Sequence, residues 1–367
     1  MGVADLADYP WDAVAPYAER ARRHPAGIVD LSIGSPVDPT PAVVAEALAA
    51  ATDAHAYPQT MGTPALREAI VDWYARRRGV PGLTPAHVLP TVGSKELVAL
   101  LPLLLGLGPG DAVVHPRAAY PTYEVGARLV GAEAVASDDP AEWPANTRLV
   151  WINSPGNPDG CVLSTQELTD AVTRARERGA VIASDECYAE LGWDAPWDTA
   201  GVPSVLDPAV VGDDLTGVLS VYSLSKQSNL AGYRAAFLAG DPELVARLLT
   251  GRKHLGLMPP APVQRAMTVA LGDDAHVAEQ RERYARRRAV LKPAVEAAGF
   301  RVDRSEGGLY LWATEGRDAW ESVGRLADLG ILVGPGHFYG THFPQHVRFS
   351  LTATDERIAA AAERLTP

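Results

Sequence analysis

The feature that most constrains this chain is an alternation of two textures. Short apolar runs, "DAVVHP" (111–116), "RLVWINSP" (148–155), "AVIASDECY" (180–188) and "GVLSVYSLSK" (217–226), are separated by stretches with helical apolar spacing. One of these, "GSKELVALLPLLLGL" (93–107), precedes the first run, and "STQELTDAVTRARERGA" (164–180) joins the second to the third, opened by a Ser164/Glu167 capping box. Strands alternating with helices predict an α/β fold whose mostly parallel mixed sheet is covered by helices on both faces. From about Arg281 the texture changes: a charged amphipathic helix is followed by the shorter elements "GLYLWATEG", "GILVGPGHFYG" and "HVRFSLT". The expectation is three parts: an N-terminal segment (1–40) packing with the small domain, a large domain (41–280), and a smaller α+β domain (281–367).

Composition narrows the classes of function. With 367 residues the chain is long enough for two cores, and 47% hydrophobic residues suit a globular protein. A formal net charge of -12 argues against nucleic acid or an anionic membrane as partner. Cys161 and Cys187 are too few for a disulfide framework, and their spacing suits no metal site. The start "MGVADLADYPWDAV" lacks the basic and apolar regions of a signal peptide, and "LVALLPLLLGLG" is too short to cross a bilayer. A cytoplasmic location is the expectation.

Polar residues at the ends of the apolar runs carry the chemistry. "NSPGNPDG" (153–160) follows one run, Asp185, Glu186 and Tyr188 end another, and Lys226 stands in a loop after a third. If these strands are neighbours, an amide, a carboxylate, a phenol and an amine meet at the carboxyl edge of the sheet, where α/β proteins bind ligands. Gly93, Ser94 and Lys95 open a helix whose free N–H groups suit a phosphate, and Arg234 can add a bidentate contact. A phosphate cradle, a buried carboxylate and a lysine are together what pyridoxal 5'-phosphate requires. Lys226 then binds its aldehyde and Asp185 keeps its ring nitrogen protonated.

The ordered set "YPQTMGTPALREAI", "GSKE", "YPTY", "NSPGNPDG", "SDECY", "SLSK", "GYR" and "VRFSL" resembles the fold-type I, class I/II aminotransferases over most of the chain. Through "YPWD", "VGSKELVALLPLLLGLG", "SDECYAELGWD" and "LTATDERIAAA" it is similar, more narrowly, to the actinobacterial N-succinyldiaminopimelate aminotransferases. The resemblance implies that Lys226 also moves the proton at the substrate's Cα, that Tyr188 and Asn157 bond the ring's phenolic oxygen, and that Tyr120 stacks on the ring. It implies that Ser94, Ser223 and Arg234, with backbone around Gly93 and Lys95, hold the phosphate, joined by Tyr57 from the other subunit of a homodimer with shared sites. Arg348 takes the α-carboxylate, and Gly34 lies on a segment that closes over the substrate. Asp159 departs from the family's usual threonine.

The activity so implied is transamination between N-succinyl-LL-2,6-diaminopimelate and 2-oxoglutarate, in lysine and diaminopimelate biosynthesis. The alternative is another fold-type I enzyme, such as a C–S β-lyase or an aminotransferase of a specialised pathway; an effector-sensing domain of a transcription regulator lacks the fused basic module it needs. The substrate's distal carboxylates call for further donors, for which Arg252, Lys253, His254, Lys95 and Arg117 are candidates.

Overall fold

The computed structural model describes residues 10–366. A short strand β1 (Val29–Asp30) leads into a seven-stranded sheet built from β2 (Val88–Val92), β3 (Ala112–His115), β4 (Glu133–Ala136), β5 (Thr147–Asn153), β6 (Val181–Asp185), β7 (Val218–Ser223) and β8 (Ala235–Gly240). Their order is β2-β8-β7-β6-β5-β3-β4. The pairs from β7 through to β4 are parallel, and β8 runs antiparallel to both of its neighbours. Only residues 224–234 separate β7 from β8, too few for the crossover that a parallel pair needs. The chain therefore turns back beside β7 instead of crossing over.

Why the sheet is buried on both faces is visible within one strand. Leu149 and Trp151 of β5 join an apolar cluster with Leu97 and Leu101 of the helix Ser94–Leu104. Val150 and Ile152 point the other way, into a cluster with Leu168 and Val172 of the helix Thr165–Glu177. The period-two alternation of a strand thus feeds two helical layers. Ser164 caps the second helix as its sequence predicts, accepting from the Glu167 N–H while Glu167 reaches back.

Towards the C-terminus, β9 (Arg301–Asp303), β10 (Tyr310–Thr314), β12 (Gly334–Pro335) and β13 (His346–Ser350) form an antiparallel sheet in the order β12-β13-β10-β9. The short β11 (Ile331–Leu332) pairs in parallel with β1, so the N-terminal segment is stitched to this region. The Ser350 N–H adds a bond to the Leu31 carbonyl. The helix Asp274–Ala297 runs unbroken through residue 281, where the change of texture begins. Among the described residues no helix is long and apolar enough to cross a membrane.

Candidate active site

Three parallel strands bring their polar ends together. Asn153 and Asp185 are register partners across β5 and β6, and Asp185 faces Val221 of β7. Asp185 is buried and accepts from the Tyr123 hydroxyl at 2.9 Å and from the Cys187 N–H at 3.2 Å. Burial raises its pKa, and the bonds from Cys187 and Tyr123 pull it partly back. Glu186, its neighbour in sequence, turns elsewhere: it pairs with buried Arg78 at 3.1 Å and accepts from the Val205 N–H at 2.7 Å. One carboxylate serves the crevice and the other fastens the core.

Lys226 does not stand in a loop. Ser223 at the end of β7 caps a single helical turn, Leu224–Gln227, its side chain accepting from the Ser225 N–H, and this short turn carries the lysine. The Lys226 amine donates to the Gly34 carbonyl, the two residues being 192 apart in the chain. Burial lowers its pKa, and the charges of Arg348 and Arg234 act in the same sense. Behind the turn runs a chain of hydrogen bonds. Tyr222 donates to Gln227 at 2.6 Å, Gln227 donates to the Ser228 Oγ at 3.1 Å, and that Oγ lies 2.8 Å from His276 Nε2. His276 Nδ1 in turn lies 3.0 Å from the Asp273 carboxylate, at the cap of the helix Asp274–Ala297.

Gly93 precedes the helix Ser94–Leu104 with φ +77°, a conformation that favours glycine, and a Cβ there would run into the Arg234 guanidinium. Arg234 itself has φ 55°, turned towards that helix end by the tight connection between β7 and β8. Helix N–H groups and a guanidinium thus form a cradle suited to a phosphate. Lys95, exposed beside it, lies 5.9 Å from the Tyr120 ring centroid; partial desolvation and Arg234 lower its pKa. Ser223 bonds Ser225 at 2.8 Å on the neighbouring turn. Tyr57 is 98% exposed in the single chain.

Arg348 occupies the opposite wall. Only 3% exposed, it donates to the Asn157 side-chain oxygen and to the Ser32 carbonyl, each at 2.7 Å, while its Nε has no partner. The Tyr310 ring lies 3.8 Å from its guanidinium carbon and the Tyr339 ring 4.9 Å. Tyr188 reaches the same wall, its hydroxyl 3.1 Å from that of Tyr310. At Gly34 a Cβ would run into the Tyr310 hydroxyl, so glycine is needed for that close approach.

Tyr123, Cys187 and Tyr310 lie at this site without having been singled out in the sequence. Tyr123 stands in the quoted "YPTY" and Cys187 in "SDECY", so the motifs held them, whereas "GLYLW" gives no signal that its tyrosine faces Arg348. The distal candidates divide. Arg252 is wholly buried in an ion pair with Glu96 at 2.6 Å, and Arg117 pairs with Glu142 at 3.2 Å. Lys253 and His254 are exposed in the last turn of the helix Pro242–Leu255. Asp159 bonds the Cys161 N–H at 3.2 Å, and burial pushes its pKa up to about 6.

A lysine, a buried carboxylate and a phosphate cradle on the carboxyl edge of this sheet define a pyridoxal 5'-phosphate enzyme, and the comparisons agree. Residues 26–365 match the family model described as aminotransferase class I and II, and the chain belongs to that family. It is 58% identical to the 4-dedimethylamino-4-oxo-anhydrotetracycline transaminase OxyQ of Streptomyces rimosus, covering 99% of both chains. It is 56% identical to the probable aminotransferase Rv1178 of Mycobacterium tuberculosis, covering 99% of this chain and 86% of that one. A solved structure, the probable N-succinyldiaminopimelate aminotransferase of Thermus thermophilus, superposes with a TM-score of 0.87 at 29% identity, covering 97% of this chain and 99% of that one. The protein is a pyridoxal-phosphate-dependent aminotransferase of fold type I.

Proposed function

We propose that this enzyme transfers an amino group between N-succinyl-LL-2,6-diaminopimelate and 2-oxoglutarate, as part of lysine and diaminopimelate formation. The observation that carries it is Arg348: a buried guanidinium with an unpartnered Nε, close enough for its charge to act on the amine of Lys226, is a site for an amino acid's α-carboxylate. The likeness to the probable N-succinyldiaminopimelate aminotransferase of Thermus thermophilus supports the finer choice of substrate.

The cofactor, when bound, supplies an electron sink for charge developing at the substrate's Cα. In this reading Lys226 would hold the cofactor and would carry a proton to and from the substrate's Cα. Its lowered pKa suits that double use. Asp185, held by Tyr123, would meet the ring nitrogen, Tyr188 and Asn157 would face the phenolic oxygen, and Tyr120 would pack on the ring. Gly93, Ser94, Lys95, Ser223 and Arg234 surround the phosphate. Gly34, whose carbonyl already takes a hydrogen bond from Lys226, carries the segment that excludes water. Tyr57, exposed in the single chain, completes the phosphate site of a second copy in a homodimer.

A second reading has a specific observation behind it. The long cationic side chains best suited to a succinyl carboxylate, Arg252 and Arg117, are held by Glu96 and Glu142. Together with the 58% identity to OxyQ, this favours a specialised pathway in which the amino acceptor is a ring ketone and only the donor needs Arg348. Single-turnover loss of the cofactor's visible band decides between them, with N-succinyl-LL-diaminopimelate, free diaminopimelate, glutamate and a cysteine conjugate as donors. A preference of about five- to 150-fold for the succinylated form per distal contact is expected. Equal rates for both diaminopimelate forms would remove the succinyl assignment, and pyruvate released fastest from the cysteine conjugate would make the enzyme a β-lyase.

A further inference from the structure

Tyr310 is buried among the reacting groups, and no role described above uses it. Its strand β10 pairs with β13 so that Trp312 faces Arg348, which places Tyr310 diagonally beside the arginine on the same side of the sheet. Two contacts result. The ring lies 3.8 Å from the Arg348 guanidinium carbon, and the hydroxyl lies 3.1 Å from that of Tyr188, in a pocket where Gly34 has no side chain to obstruct it. We propose that Tyr310 is a positioning residue with two separable duties: its ring sets the plane of the Arg348 fork, and its hydroxyl orients Tyr188 towards the cofactor's phenolic oxygen.

The first duty follows from the geometry of a guanidinium. Arg348 spends two nitrogens on Asn157 and Ser32, so the arginine can present a flat pair of donors to a carboxylate only if its plane is fixed. An aromatic face against it does this while also attracting the positive charge. The second duty depends on which phenol donates. Burial raises the pKa of Tyr310, but the charges of Arg348 and Lys226 and the bond with Tyr188 outweigh it and leave the group below its usual value. Tyr188 is raised well above, by burial and by Tyr310. Either hydroxyl can donate across the 3.1 Å contact; with the Tyr188 hydrogen turned to the cofactor, the Tyr188 oxygen can only accept, and Tyr310 is then the donor between them. A phenol that accepts one hydrogen bond donates a stronger one. Charged or titratable groups facing this pair include Arg348 on β13, Lys226 after β7, Cys187 after β6, Tyr123 of the helix Thr122–Leu129 and Tyr284 of the helix Asp274–Ala297.

This proposal rests on the pyridoxal-phosphate reading, and its test separates the two. The holoenzyme and its Tyr310→Phe and Tyr310→Leu variants are titrated with pH while the cofactor's visible band is recorded, and each is then titrated with glutarate, an unreactive dicarboxylate, by calorimetry. Tyr310→Phe keeps the ring and loses the donor to Tyr188. A weaker Tyr188 favours the protonated form of the chromophore, so the midpoint of the band should rise by about half a unit to one unit, with glutarate affinity within about twofold of wild type. Tyr310→Leu should show the same rise and in addition lose about tenfold in glutarate affinity. An unmoved midpoint in Tyr310→Phe, a protein that retains the whole ring, overturns the hydroxyl's duty. Unchanged glutarate binding in Tyr310→Leu overturns the ring's. A wild-type protein that develops no visible band with the cofactor overturns the underlying functional reading instead.

Discussion

The two walls of the crevice are built differently. On the cofactor wall, each polar group leaves the end of a strand in one rigid sheet: Asn153 from β5, Asp185 from β6, and Lys226 one turn after β7. On the carboxylate wall, Arg348 is held by Ser32 and Asn157, 316 and 191 residues away, with Tyr310 against its face. The first wall is set by strand register, which a single residue's substitution leaves in place. The second is an agreement among separate segments, and any of them can spoil it. The cofactor wall should therefore lose activity outright when a reacting group is removed and respond only modestly to its supports, whereas the carboxylate wall should depend on its supports more heavily.

The largest test removes the amine itself. Lys226→Ala should lower turnover at least about a thousandfold and abolish the covalent label that borohydride fixes at residue 226. Labelling at another lysine would break the assignment of this wall. Arg348→Lys keeps the charge and loses the fork, so kcat/KM for donor and acceptor should both fall about a hundredfold while cofactor binding is unchanged. A loss confined to one substrate would mean that the other is held elsewhere, as the ring-ketone reading requires.

Smaller effects come from groups behind the walls. Glu96→Gln leaves the Arg252 guanidinium buried without a counter-charge, which should cost about 3 kcal/mol in chemical unfolding without altering the choice between succinylated and free diaminopimelate. Unchanged stability with altered selectivity would return Arg252 to the substrate pocket. Tyr123→Phe removes one hydrogen bond from Asp185 and should cost about 1 kcal/mol, read as a few-fold weaker hold on the cofactor by fluorescence titration. A pH-dependent effect is expected at the turn of Asp159, whose pKa is raised in the fold to about 6. The protonated form is favoured by folding, so its contribution is full at low pH and is lost as pH rises from about 4 to 6. Asp159→Thr should raise stability at pH 8 by about 3 kcal/mol relative to its effect at pH 4; a difference that did not depend on pH would show that burial does not govern this carboxylate.

The same contrast explains what could be read in the sequence. Lys226, Asp185 and Asn157 are legible because each directly follows an apolar strand, and local order fixes their place at the sheet edge. The reversal at β8 was not, since the pattern of a buried strand carries no direction; the shortness of 224–234 was the one available clue. The helical turn under Lys226 escaped because a cap such as Ser223 and a loop residue look alike over four positions. Tyr310 is of another kind. Its role depends on β10 lying beside β13 and on Gly34 arriving from the far end of the chain, and no window of sequence contains those facts. For Arg252 the sequence offered a charge but could not show that Glu96, far away in the chain, already held it.

Ser228, His276 and Asp273 have one more implication, for how enzymes are recognised by shape. Their atoms stand in the order and at the spacing of a hydrolytic triad, 2.8 and 3.0 Å from one link to the next. A search by three-residue templates would report a serine nucleophile here. Yet Ser228 has no exposed surface, and its oxygen already takes a hydrogen from Gln227, so an incoming ester could not reach it. The same constellation that elsewhere cuts bonds serves in this protein as a strut between a long helix and the single turn that carries Lys226, and solvent access is what tells the two apart.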